Sequence, residues 1–130
     1  MPDDGKTILC VDDSPASLGA WIELLDRFGY RTIATTNPLL ALPIVTCVSV
    51  HLAILDYFMP GLDGGTLAAN IRERTAHLPI VLTSNRVADV PTGVKQTVDA
   101  VIAKQDGLAA LLRVVQSLLM LGTGSIPTSE

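Results

Sequence analysis

Residues 52 to 64, Leu52-Ala-Ile-Leu-Asp56-Tyr-Phe-Met-Pro60-Gly-Leu-Asp63-Gly64, set a short aliphatic run against an acid, then a loop, then a helix start. Beyond Gly64, the positions of Leu67, Ala68 and Ile71 repeat at helical spacing and form an inner face, leaving Arg72, Glu73 and Arg74 for water. Strand, loop and helix in that order make one βα unit. Reading outward, four more aliphatic runs recur between segments of helical period: Thr7 to Val11, Tyr30 to Thr35, Pro79 to Thr83 and Ala100 to Ala103. Their near-continuous apolarity suits strands covered on both faces, as in a parallel sheet wound with helices.

The intervening helices carry their own punctuation. Leu18, Trp21, Ile22, Leu25 and Phe28 fall at steps of three and four, opened by Ser14-Pro15 and closed by Gly29. Asn37-Pro38 opens a second helix, but Pro43 deletes a backbone hydrogen bond inside it, so it is expected to be kinked, short or late-starting. Pro91-Thr92-Gly93 breaks the segment from Val87 to Val98 in the same way. A fifth helix, Gly107 to Leu121, shows a narrow wet stripe of Arg113, Gln116 and Ser117, with an apolar arc wider than one core needs.

Composition narrows the function. The chain has 130 residues, 48% hydrophobic, which fits one domain with a core of its own and excludes both a disordered chain and a two-domain enzyme. Residues 1–121 are expected to form that domain and residues 122–130 a flexible tail or linker stub. Nine scattered basic residues against 13 acidic ones give a net charge of −4, which argues against direct nucleic-acid contact. Cys10 and Cys47 lie in apolar stretches and read as small buried hydrophobes in a reducing compartment. An acidic start without an apolar signal, and no convincing membrane span, point to a cytoplasmic protein. His51 and His77 read as a loop and a surface residue.

Asp12 and Asp13 follow the first aliphatic run and Asp56 follows the third. In a doubly wound parallel sheet those exits share one rim, where ligands bind at the reversal of strand order. Clustered carboxylates repel one another by a few kcal/mol per pair unless a cation neutralises them, and Mg²⁺ prefers such oxygens together with phosphate. The fourth run ends in Thr83-Ser84 and the fifth in Lys104, adding a hydroxyl and an ammonium at the same rim. Acid nucleophile, cation and donors are the parts that phosphoryl transfer needs.

Val11-Asp12-Asp13, the Asp56-Tyr-Phe-Met-Pro-Gly-Leu-Asp-Gly64 segment, Pro79 to Ser84 and Lys104 together resemble the receiver domains of two-component response regulators, over about residues 6 to 121. The resemblance implies a flavodoxin-like (βα)₅ fold of strand order 2-1-3-4-5. It implies a switch that takes phosphate from a sensor histidine kinase or phosphotransfer protein, and self-phosphorylation and dephosphorylation with Mg²⁺ rather than an enzyme acting on metabolites. Carried over, Asp56 is the phosphoacceptor and Asp13 a direct Mg²⁺ ligand. Asp12 acts on the metal through water, and Phe58 gives it only a backbone carbonyl. Lys104 pairs with the phosphoryl group and Ser84 swings toward it, counting from Pro79; a one-residue slip would select Thr83 instead.

The chain departs from that family where the signal leaves the site. Gln105 replaces the usual proline after the lysine, Val101 stands where an aromatic switch is usual, and the fourth helix is interrupted. Output is therefore expected through loop rearrangement or a homodimer built on the fifth helix. The same departures keep open the alternative of a pseudo-receiver, a constitutive interaction domain that no longer switches.

Overall fold

Five parallel strands, β1 (Thr7–Val11), β2 (Arg31–Thr35), β3 (Leu52–Asp56), β4 (Ile80–Ser84) and β5 (Ala100–Ala103), lie side by side in the order β2-β1-β3-β4-β5. In the computed structural model residues 5–122 are described, the side chains of 121 and 122 excepted. The tail expected at residues 122–130 lies outside them save for Gly122, which the last helix includes.

Alternation along the strands divides the core in two. Leu9, Val11, Leu55 and Leu82 face one layer with Val45, Leu67 and Ile71, from α2 (Ala41–Cys47) and α3 (Gly64–Arg74). Ile8, Cys10, Ile54 and Val81 face the other with Trp21, Leu25 and Val115, from α1 (Pro15–Arg27) and α5 (Leu108–Gly122). The three inner strands are buried along their whole length, whereas the edge strands β2 and β5 are only partly covered. Continuous apolarity thus marks position in the sheet as well as strand identity.

The local signals act as their chemistry requires. Ser14 Oγ accepts from Ser17 N at 3.3 Å with Pro15 in the first position of α1, and Gly29 takes φ 88° beyond its end. Asp63 caps α3 through Thr66 N at 2.8 Å. Pro43 leaves a 3₁₀ turn over Pro38–Leu40 before a seven-residue α2. Around Pro91 the fourth helix shrinks to a 3₁₀ turn, Val87–Asp89, and four residues of α4 (Thr92–Lys95).

Three readings change, and a fourth, His51 as a loop residue, holds with added detail. Arg72 is not left to water: its guanidinium meets Asp99 at 2.6 Å, Ala76 O at 3.1 Å and Thr97 O at 3.2 Å, tying α3 to the turn before β5. Gln116 is half-buried, so the wet side of α5 runs instead through Leu108, Arg113, Ser117 and Met120. Cys47 is exposed, because it stands about 200° round a short helix from Val45, which faces the core. His51 holds a defined place, its Nδ1 accepting from Thr7 N at 2.9 Å. No helix among the described residues is long and apolar enough to cross a membrane.

Candidate functional site

The order of strands places the acids. After β1 the chain moves outward to β2 and returns to β3 on the other side of β1, so the reversal falls between β1 and β3. Val11 pairs with Leu55 in register, which sets Asp12 and Asp56 next to each other at the carboxyl rim. Asp56 in turn pairs with Thr83, and Ser84 with Ala103, so Ser84 and Lys104 reach the same rim.

Asp12, Asp13 and Asp56 each offer an oxygen within 4.8 Å of the others, Asp12 and Asp56 buried and Asp13 exposed. Lys104 Nζ bridges two of them, 2.8 Å from Asp12 Oδ2 and 3.2 Å from Asp56 Oδ1. Asp12 is fully engaged, since its Oδ1 also accepts from Ser14 N at 2.9 Å. One ammonium against three carboxylates leaves the cluster anionic. Burial first, then the charge of Asp12, raises the Asp56 pKa to about 6; Lys104 pulls it down and Asp13 pushes it up further. Burial alone would lower the Lys104 pKa, but the bond to Asp12 and the charge of Asp56 outweigh it and raise the value.

The loop after Asp56 is held by its backbone. Tyr57 N donates to Thr83 O and Gly64 N to Tyr57 O, both at 2.8 Å, and Gly61 turns the chain at φ 85°. A Cβ on Gly64 would stand 2.5 Å from Asp56 O and 2.9 Å from Tyr57 Cα, so only glycine lets α3 begin this close to the acid. The Asp63-Gly64 pair reads in sequence as a helix start and carries no sign of this contact with Asp56. Phe58 stands 51% exposed on the rim, edge-on to Tyr57 with ring centres 4.8 Å apart.

The two hydroxyls face opposite ways. Ser84, fully buried, shares strand parity with Leu82 and accepts from Arg86 N at 3.0 Å. Thr83 shares parity with Val81 and points between α1 and α5, where it borders a cavity of about 180 Å³ with Trp21, Lys104 and Leu111. Its buried Oγ1 finds no partner among the described residues. Of the expected site residues, Asp12, Asp13, Asp56 and Lys104 meet in one cluster, and Ser84 and Phe58 border it on neighbouring elements.

The oxygens fit a hard cation. An octahedral shell at about 2.1 Å sets its ligands about 3 to 4.2 Å apart, so a spread of 4.8 Å needs a slight closing or one ligand acting through water.

The sequence model of the family described as response regulator receiver domain matches residues 8–116. The chain is 38% identical over 88 residues to the sensor histidine kinase GacS of Pseudomonas protegens, covering 63% of this chain and 10% of that protein. It is 30% identical over 126 residues to the transcriptional regulatory protein CseB of Streptomyces avermitilis, covering 95% of this chain and 53% of that one. It thus spans between a tenth and about half of these curated relatives. Among solved structures, the response regulator TrrA of Thermotoga maritima, in complex with Mg²⁺-BeF, superposes with a TM-score of 0.82 at 28% identity, over 87% of this chain and 98% of that one. A CheY-like receiver domain from Methanospirillum hungatei gives 0.87 at 20% identity, over 92% and 98%, which supports the fold.

Proposed function

This chain belongs to the response regulator receiver family, and from that membership we propose that Asp56 accepts a phosphoryl group and that the acyl phosphate switches the surrounding loops. The observation that carries the reading is the convergence of Asp12, Asp13 and Asp56 within 4.8 Å, with Lys104 Nζ 3.2 Å from Asp56. The donor is a phosphohistidine on a sensor histidine kinase or phosphotransfer protein. An Asp56 carboxylate oxygen attacks its phosphorus, the P–N bond breaks, and the electron pair leaves with the imidazole.

Asp13, exposed and unengaged among the described residues, would hold Mg²⁺ directly, together with Asp56 and the Phe58 carbonyl. Asp12, already held by Lys104 and Ser14, would act on the ion through water. Bound there, the ion supplies positive charge to the phosphoryl oxygens. Lys104 then exchanges Asp56 for a phosphoryl oxygen. Ser84 donates its hydroxyl to another, giving up its bond from Arg86 N and so reporting the new charge to the turn before α4.

Such a domain is a switch and not an enzyme acting on metabolites. A homodimer through the exposed side of α5 is one output open to it. The constitutive alternative would keep the same acids and lysine, so labelling separates the two. Incubation with a small phosphodonor and Mg²⁺ tests the reading: intact mass is expected to rise by one phosphoryl group, and Asp56→Asn to show no gain. Undiminished labelling of that variant overturns it.

The lifetime of the acyl phosphate depends on the rim. Phe58 shields it from water, while the Arg86 guanidinium is held by Asp89 at 3.1 Å. Phe58→Ala is therefore expected to speed loss of phosphate severalfold, and Arg86→Ala to add little. Native decay as fast as that of Phe58→Ala would contradict the shielding.

A further inference from the structure

At the opposite pole of the sheet a cavity of about 430 Å³ opens beneath the amino ends of the strands, a volume within the roughly 300–1,000 Å³ of ligand pockets. Lys6 leads into β1, His51 into β3 and Leu78 into β4, while Arg74 and His77 come from the end of α3 and the turn after it.

The ionisable lining is of one kind. Lys6, His51, Arg74 and His77 surround the space and, among the described residues, none that lines it is acidic, in a chain of net charge −4. Arg74 and His77 are exposed and, among the described residues, have no ion-pair partner. Because His51 Nδ1 accepts from Thr7 N, the neutral ring carries its proton on Nε2 and keeps a donor there. Val50, Leu78 and Leu119 supply an apolar wall.

We propose that this cavity binds a small ligand joining an anionic headgroup, carboxylate or phosphate, to an apolar body. Arg74 and His77 bind the headgroup, and the apolar wall takes the body. The length of a five-residue strand, about 16 Å, separates the cavity from the acids at the rim. It therefore neither competes with phosphorylation nor depends on that reading.

Titration of the metal-free protein with phenylphosphonate, benzoate and inorganic phosphate, followed by NMR, tests it. Saturable shifts confined to Lys6, Val50, His51, residues 74–79 and Leu119 are expected, with both aromatic anions binding more tightly than inorganic phosphate. An Arg74→Gln, His77→Gln double variant is expected to bind phenylphosphonate about tenfold more weakly. Both positions lie on the surface, so the fold survives. Arg113→Gln, which removes a charge from the exposed side of α5, should leave binding unchanged. No saturable shift, or affinity unaltered in the double variant, overturns the site. Inorganic phosphate binding as tightly as phenylphosphonate overturns the apolar half of the ligand.

Discussion

With divalent cations chelated, the protein is expected to take phosphate from a small donor at least about a hundredfold more slowly than with Mg²⁺. The reason is the charge at the rim. Asp12, Asp13 and Asp56 carry three negative charges when ionised and Lys104 returns one, so an incoming phosphoryl dianion meets a net repulsion. At an effective dielectric near 20 and about 5 Å, each unit pair contributes about 3 kcal/mol, and each 1.4 kcal/mol is tenfold in rate. Even after screening, the loss of two positive charges exceeds two decades. Asp13→Ala is expected to reproduce the defect at ordinary Mg²⁺ and to recover partly at higher concentration. Asp13 is exposed and holds no partner among the described residues, so its removal weakens the cation site without disturbing the fold. Mass spectrometry against time measures the rate and calorimetry the Mg²⁺ affinity. Labelling undiminished in excess chelator would show that the acids do not work through a cation.

What the sequence disclosed was whatever a few neighbouring residues decide. Ser14 and Asp63 cap helices through amides three residues on, Pro43 shortens its helix from within and Pro91 stops α4 from beginning earlier, so each effect is written beside its cause. The convergence of the acids was legible at one remove, because strand exits in a parallel sheet share a rim whatever the side chains are. Contacts across the chain were not. Arg72 reads as solvated because Asp99 lies 27 positions away, and Lys104 bonds Asp12 across 92. The lysine in particular reads from sequence as waiting for phosphate, whereas in the resting protein it already bridges two acids. The need for glycine at position 64 depends on where the Asp56 carbonyl ends up after folding. The unpartnered Thr83 hydroxyl follows from strand parity, which an uncertainty of one residue inverts.

Replacing the phosphoacceptor is expected to stabilise the metal-free fold, and the gain should depend on pH. Asp56 carries a pKa of about 6 in the folded protein against 3.8 when free, so folding holds its proton more tightly than the unfolded chain does. For a group raised in this way, the favourable contribution is complete below about pH 4 and is lost as pH climbs through 6. Two pKa units correspond to about 3 kcal/mol, or about 2 kcal/mol once water at the open rim is allowed for. An asparagine in its place cannot ionise, yet its side-chain carbonyl can still accept from Lys104, so Asp56→Asn escapes that loss. In chelator at pH 7 the variant is expected to melt roughly 5–10 °C above the native protein, the gap closing toward pH 4. Mg²⁺ should reverse the order, because binding to the folded state lifts the native protein and leaves the variant nearly unmoved. The comparison between variants cancels contributions from carboxylates remote from the rim. A melting gap that is constant from pH 4 to 7 would mean that Asp56 is not held against its charge, and that the strain relieved by Mg²⁺ lies elsewhere in the cluster.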